Sequence, residues 1–438
     1  MGVKQKLRGL AIEAFLSDPV RRARERLDDV GRRVRGATPR AELYFQVDDP
    51  HSYLLAQAVE RMATAYPRLQ WELYLVPPPA ADVTPEPALA ARWALQDAAD
   101  LAAHWDVDFP ADAREPDPGV VLRANQILVV KRPFAEQLQA ALQVARALWA
   151  RDRPAIELAM GKLGHEAPGS VAPATQLAYG HLRDTGHYRG ATVRYGSEWY
   201  WGIDRLPYLE ERLRRDLEDP EVAPVIHARP PESRPPLLLG ADPLTLELFF
   251  SFRSPYSYLA LEQVPPLAAQ AGVTLQLRPV LPMVMRGMEM PRAKKLYIVQ
   301  DAKREAERLG IPFGRICDPL GPGIERCLSA FAVAAAGGRG LELATSLMRG
   351  IWSEALDVTS YVDMRRMVDR AGVDWNQVTA AGDDWRALAR GNAEELARAG
   401  LWGVPSFRIG GYTAWGQDRI PMLADRLRRH HAAVEAAT

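Results

Sequence analysis

Apolar and polar positions change period along this chain in an order that occurs twice. In the second half, the apolar run LELFFSF at 246–252 predicts a strand. Ser254-Pro255 then supplies a cap and a proline at the first helical position, and the helix is predicted to run to about Ala271. VTLQLRPVL at 273–281 predicts a second strand. Residues 291–400 are helical in pattern, most regularly at 293–309. Ser406–Ile409 and Tyr412–Trp415 flank a Gly410-Gly411 hairpin turn, and a last helix is predicted from Asp418.

The first half repeats this plan, with Gly196-Ser197 at its hairpin turn. ELYFQVDDPHSYLLAQAV at 42–59 aligns with ELFFSFRSPYSYLALEQV at 247–264. RWALQDAADLAAHWDVDF at 92–109 aligns with LYIVQDAKREAERLGIPF at 296–313, and WGIDRLPYLEERL at 201–213 with WGQDRIPMLADRL at 415–427. Three matches in one order predict a tandem duplication, with two copies too few and too long for a solenoid. Strand–helix–strand, helical insert, hairpin, helix is the layout of a thioredoxin fold interrupted by helices. The expected class is therefore α/β, with two thioredoxin-like domains that each carry an α-helical insertion. The expected organisation is an arm at 1–40, a degenerate domain at 41–226, a proline-rich linker at 227–243 and a second domain at 244–438.

Charge changes the picture mainly at the start. Lys plus Arg equal Asp plus Glu at 55 each over 438 residues, a balance that argues against a nucleic-acid partner. The first forty residues hold eleven Lys or Arg against five Asp or Glu, which leaves the remainder at about −6. There PVRRARERLDDVGRRVR at 19–35 predicts an amphipathic helix with Asp18 as its cap. It reads as an arm packed on the body of the protein or on a second subunit, with contact to an acidic membrane surface as the alternative. No run of 18 apolar residues predicts a transmembrane segment, and no apolar core follows the first charges as in a secretory leader, so a cytoplasmic protein is expected. Cys317 and Cys327, the two cysteines, exclude a disulfide scaffold and read as buried thiols. The eight histidines form no HxxxH or carboxylate cluster, and no metal is expected.

The chemically active position of this layout is the N-terminus of the first helix, where free N–H groups and the helix dipole favour an anion. Redox proteins of the fold place Cys-Pro-x-Cys there to depress a thiol pKa. This chain has Ser254-Pro255-Tyr256-Ser257 and Asp49-Pro50-His51-Ser52, which leaves no thiol for disulfide exchange at either start.

Five motifs in order carry a family resemblance: FFSFRSPYSYLA, LRPVLP, KKLYIVQDAKREAERLGIPF, GVPSF and WGQDR. Over about 246–429 the chain resembles the DsbA-like branch containing 2-hydroxychromene-2-carboxylate isomerases and kappa-class glutathione transferases. The resemblance implies a glutathione-dependent isomerase or transferase, with a serine, here Ser254, stabilising the thiolate of bound glutathione. It implies that Pro405 is the cis-proline of the fold and that Val404 pairs with the cysteinyl backbone of glutathione. Gln417 and Asp418 match the pair that receives its γ-glutamyl end, and Lys294 matches a lysine near its glycyl carboxylate. Relatives usually carry an asparagine just before that lysine, and 279–300 contains none.

Compared with the second copy, the first has Asp49 for Ser254, Ala191 for Pro405 and Ile203 for Gln417. A carboxylate at the helix start opposes a developing thiolate, so the first copy is expected not to activate glutathione. Asp204 persists there, so Asp418 reads equally as a helix cap. Tyr256, Met283, Trp402 and Trp415 are candidates to line a pocket for a small, electrophilic, aromatic-derived substrate. The rival expectation is a non-redox scaffold of the same fold without catalysis. An internal pseudo-dimer or a homo-oligomer is compatible with either.

Overall fold

The computed structural model describes residues 9, 11–218, 221–227 and 244–437. Apart from His227, the expected linker at 227–243 lies outside the described residues. The chain divides into two compact units, residues 22–233 and residues 1–21 with 234–438. Among the described residues, no helix is long and apolar enough to cross a membrane.

Each unit is built on a four-stranded sheet. In the first, β1 (Arg40–Phe45) lies parallel to β2 (Gln70–Leu75) and antiparallel to β3 (Thr192–Tyr195), and β3 pairs with β4 (Glu198–Trp201). In the second, β5 (Thr245–Phe250) takes the same place between β6 (Thr274–Pro279) and β7 (Ser406–Ile409), with β8 (Tyr412–Trp415) beyond. The strand order is thus the same in both sheets. The central strands β1 and β5 are buried along all but their first residue, which is why their sequences are nearly continuous apolar runs.

One carboxylate interrupts each run, and the structure pairs it in the same way twice. Glu42 faces Arg194 across the β1–β3 register, and Glu247 faces Arg408 across the β5–β7 register. Arg278 on β6 adds a second bond to Glu247, at 2.5 Å.

Between the parallel pair and the hairpin stand the helices. In the first unit α2 (Pro50–Ala65) joins β1 to β2. The insert follows as α3 (Pro87–Trp105), α4 (Pro118–Leu128), α5 (Phe134–Trp149), α6 (Arg153–Leu163) and α7 (Pro168–Asp184). α8 (Leu206–Asp216) follows β4. In the second unit α9 (Pro255–Gln270) joins β5 to β6. The stretch read as helical at 291–400 resolves into α10 (Arg292–Leu309), α11 (Pro322–Ala336), α12 (Gly340–Ser353), α13 (Tyr361–Arg370), α14 (Trp375–Thr379) and α15 (Trp385–Arg398), and α16 (Ile420–Ala437) closes the chain. α10 ends on Gly310 at φ +67°, a left-handed cap that glycine adopts without strain. Phe250, Phe252 and Phe331 meet edge to face, locking β5 and α11 into one core.

At the start of the chain, α1 (Asp18–Val34) forms as its period predicts, with one correction. Asp18 is the first helical residue and not the cap, because the Arg21 N–H already bonds the Ser17 carbonyl at 3.0 Å. None of the seventeen residues of α1 is buried.

Candidate functional site

In the second unit, β5 hands the chain to α9 through a tight turn in which the Ser254 N–H bonds the Ser251 carbonyl at 2.9 Å. Ser254 is the N-cap of α9, and its Oγ accepts the Ser257 N–H at 3.1 Å. The same hydroxyl donates to the Val404 carbonyl at 3.4 Å. Ser257, fully buried, ties the helix start back to the strand by accepting the Ser251 N–H. A small polar group therefore stands at the positive end of a sixteen-residue helix, against the step that precedes β7.

That step is Val404-Pro405, a cis peptide bond. The Pro405 carbonyl accepts the Gly416 N–H at 2.9 Å, and the Gly403 carbonyl accepts the Ser406 hydroxyl at 2.8 Å. Trp415 packs against Gly403, where a Cβ would stand 2.5 Å from its ring. Trp402 packs on Trp415 with centroids 4.5 Å apart, so both candidate pocket tryptophans flank the proline step. From the 3-10 turn Met283–Arg286, in which Met283 is half-buried, Arg286 donates to the Trp402 carbonyl at 2.7 Å.

Other candidates are placed differently. Tyr256 donates its hydroxyl to the buried carboxylate of Asp301 on α10 at 2.7 Å. Gln417 is buried, and its amide is shared between Glu305 on α10, at 2.7 Å, and Gln263 on α9, at 3.5 Å. Its side chain therefore knits framework elements together. Asp418 is partly exposed, with its carboxylate 3.4 Å from the Arg419 guanidinium. Lys294 is half-buried on the first turn of α10.

Asp301, Glu305 and Arg286 were not singled out from the sequence. Asp301 had a visible signal, since Gln300-Asp301 recurs as Gln96-Asp97 in the first unit.

In the first unit the same position is filled by charge. Asp49 caps α2 by accepting from the His51 N–H at 3.3 Å. His51 lies between two carboxylates, Nδ1 at 3.3 Å from Asp49 and Nε2 at 2.8 Å from Asp97, with Trp93 stacked beside it. Burial alone would lower the imidazole pKa. Hydrogen bonds and charge from both carboxylates outweigh it and raise the pKa to about 9. Burial acts to raise Asp49, but His51 and the charge of Arg189 hold it below its ordinary value. Ala191, in the place of Pro405, sits at φ +51° with its N–H bonded to the Ser52 hydroxyl at 3.0 Å.

Cys317 and Cys327 are both buried free thiols, and neither stands at a helix start. Burial, with nearby aspartates, pushes the Cys317 thiol up to about 12, and burial pushes Cys327 further. Among the described residues, no group of His, Cys, Asp or Glu could hold a metal ion.

Comparison with known proteins agrees with the second sheet and its helices. The DSBA-like thioredoxin domain model matches residues 245–428, and the second unit carries a DsbA-like thioredoxin fold. The chain is 26% identical over 200 residues to 2-hydroxychromene-2-carboxylate isomerase of Sphingobium xenophagum, covering 42% of this chain and 97% of that protein. It is 29% identical over 211 residues to glutathione S-transferase kappa 1 of Homo sapiens, covering 43% of this chain and 93% of that one. A solved structure of 2-hydroxychromene-2-carboxylate isomerase aligns over 44% of this chain and 99% of its own at 20% identity, with a TM-score of 0.38.

Proposed function

We propose that the second unit is a glutathione-dependent isomerase or transferase acting on a small electrophilic substrate, and that it works without a redox cysteine. One observation carries the reading: Ser254 Oγ, at the N-terminus of α9, reaches the Val404 carbonyl beside the cis Val404-Pro405 bond. A thiolate docked on this step would meet a hydroxyl donor and the positive end of a helix together. The ordinary thiol pKa of about 8.5 leaves few per cent ionised at neutral pH, and lowering it to about 6.5 makes most of it thiolate. Ser254 turns its one O–H from the Val404 carbonyl to that anion, and Val404 offers backbone groups to the cysteinyl residue as an added strand would. The thiolate adds to a conjugated double bond, moving an electron pair onto the substrate's carbonyl oxygen. An isomerase lets the adduct rotate and expels the thiolate again, whereas in a transferase the enolate takes a proton from water and the neutral conjugate is released. Trp402, Trp415 and Met283 line the apolar side in this reading.

The two relatives named for these activities support it, as does the absence of cysteine at either helix start. The repeated strand order and the repeated Glu–Arg pair support descent of both units from one duplicated domain. In the first, Asp49 and His51 occupy the thiolate position, so it serves as a partner domain that does not activate glutathione. A cytoplasmic location fits these roles. The buried Gln417 and the missing asparagine before Lys294 favour the second reading, a scaffold of this fold without catalysis.

Calorimetry with reduced glutathione, followed by ultraviolet titration of the bound thiol, separates them. Binding with a thiol pKa well below 8.5 supports the enzyme. No binding leaves the scaffold.

A further inference from the structure

The helix α1 is amphipathic in the opposite sense from a helix that covers a core. At 100° per residue, Val20, Ala23, Leu27, Val30 and Val34 fall within a sector of about 80°. That sector faces solvent: Leu27 is 70% exposed, Val30 55% and Val34 82%. The opposite side carries the acids, and it is the side that makes the contacts. Glu25 pairs with Arg215 at 3.2 Å, and Asp28 accepts the Ser197 N–H at 2.9 Å. Asp29 is taken up by Arg32 and Arg33 on the helix itself. On one flank of the apolar sector, about 40–80° beyond its edge, lie Arg26, Arg33 and Arg22, all exposed, with Arg33 also paired to Asp29 and Glu218. Arg22 and Arg26 form no ion pair among the described residues.

We propose that this face of α1 is an interfacial anchor that lies on an anionic lipid surface. An aliphatic stripe edged by arginines matches such a surface in both respects. The aliphatic side chains enter the headgroup boundary, while the arginines keep their charges at the level of the lipid phosphates. The acids that would repel those phosphates are already paired: Glu25 with Arg215, Asp28 with the Ser197 N–H, Asp29 with Arg32 and Arg33, and Asp18 with Arg21. A protein partner would be read from aromatic anchors gathered around a pocket, and the stripe holds only valine, alanine and leucine on one convex helix. Weak, reversible binding is expected, because a single short stripe without a lipid chain gives marginal anchoring.

The full-length chain is to be sedimented with vesicles of phosphatidylcholine alone and of phosphatidylcholine with 30% phosphatidylserine. The proposal expects at least tenfold more binding to the anionic vesicles, most of it lost in 0.5 M salt. Two variants are compared, Leu27→Ser with Val30→Ser, and Arg22→Glu with Arg26→Glu. All four side chains are exposed, so both should fold with wild-type circular dichroism and melting temperature, and both should lose binding. Equal binding of wild type and both variants overturns the proposal, as does no binding of the wild type. So does self-association of the chain that the Leu27→Ser, Val30→Ser variant abolishes, since a second copy would then cover the face.

Discussion

His51 Nε2 lies 2.8 Å from the buried carboxylate of Asp97, in the place where the Tyr256 hydroxyl donates to Asp301 at 2.7 Å in the other unit. The two sites thus keep one bond between the first helix and the insert, but in one the donor titrates. With the His51 pKa raised to about 9 from an ordinary 6.5, protonated His51 stabilises the folded first unit fully below pH 6.5. That stabilisation is lost as pH rises from 6.5 through 9. Calorimetric melting between pH 6 and 10 should show the first unit losing stability over that window. His51→Tyr, which copies the other unit's neutral donor, should flatten the dependence. An unchanged slope in that variant would mean that His51 is not the titrating group.

Ser254 combines two roles that different substitutions separate. Ser254→Ala removes the side chain that caps α9 and should cost about 1 kcal/mol of stability in denaturant melts. Ser254→Asp keeps a cap, as Asp49 does in the first unit, and should stay near wild-type stability. A carboxylate beside the sulfur should nonetheless raise the pKa of bound glutathione above its wild-type value and abolish turnover. Ultraviolet titration of the thiolate in each variant measures this directly.

The parts of the molecule that were legible in the sequence are those set by neighbours in the chain. The hairpin strands Ser406–Ile409 and Tyr412–Trp415 follow from a Gly-Gly turn between short apolar runs, and Ser254 from its place before Pro255. Gln417 shows the opposite case. Whether its amide meets a ligand or the framework depends on Glu305, 112 positions away, and no local pattern reports that contact. In α1 the helical period was plain, yet the face that packs was not. It is chosen by Arg215 and Ser197, which lie 190 and 169 positions from their partners.

Gly403 has no side chain because Trp415 occupies the space. In Gly403→Ala the new Cβ would stand 2.5 Å from the indole, so either the ring or the Val404 backbone must move. Overpacking of this kind costs about 1–3 kcal/mol. The melting temperature should fall, and glutathione affinity should fall with it, because the displaced segment carries Val404. Gly411→Ala is the control, since a Cβ there meets nothing within 4 Å and the backbone is not left-handed. It should melt like wild type.

Glu247 tests how the second sheet tolerates a charge at its centre. Burial acts to raise its carboxyl pKa, but Arg408 and Arg278, bonding to it from both neighbouring strands, outweigh burial and hold the pKa below its ordinary 4.5. Glu247→Gln keeps the shape but leaves two half-buried guanidinium groups without their shared anion, which should cost about 1–3 kcal/mol at neutral pH. The sign with pH is fixed. A depressed carboxyl contributes its stability above pH 4.5 and loses it as pH falls through the folded-state pKa below that value. Denaturant melts of wild type and variant should therefore differ at pH 7 and converge in acid. A gap that stays constant down to pH 2 would locate the effect in packing of the side chain and not in its charge.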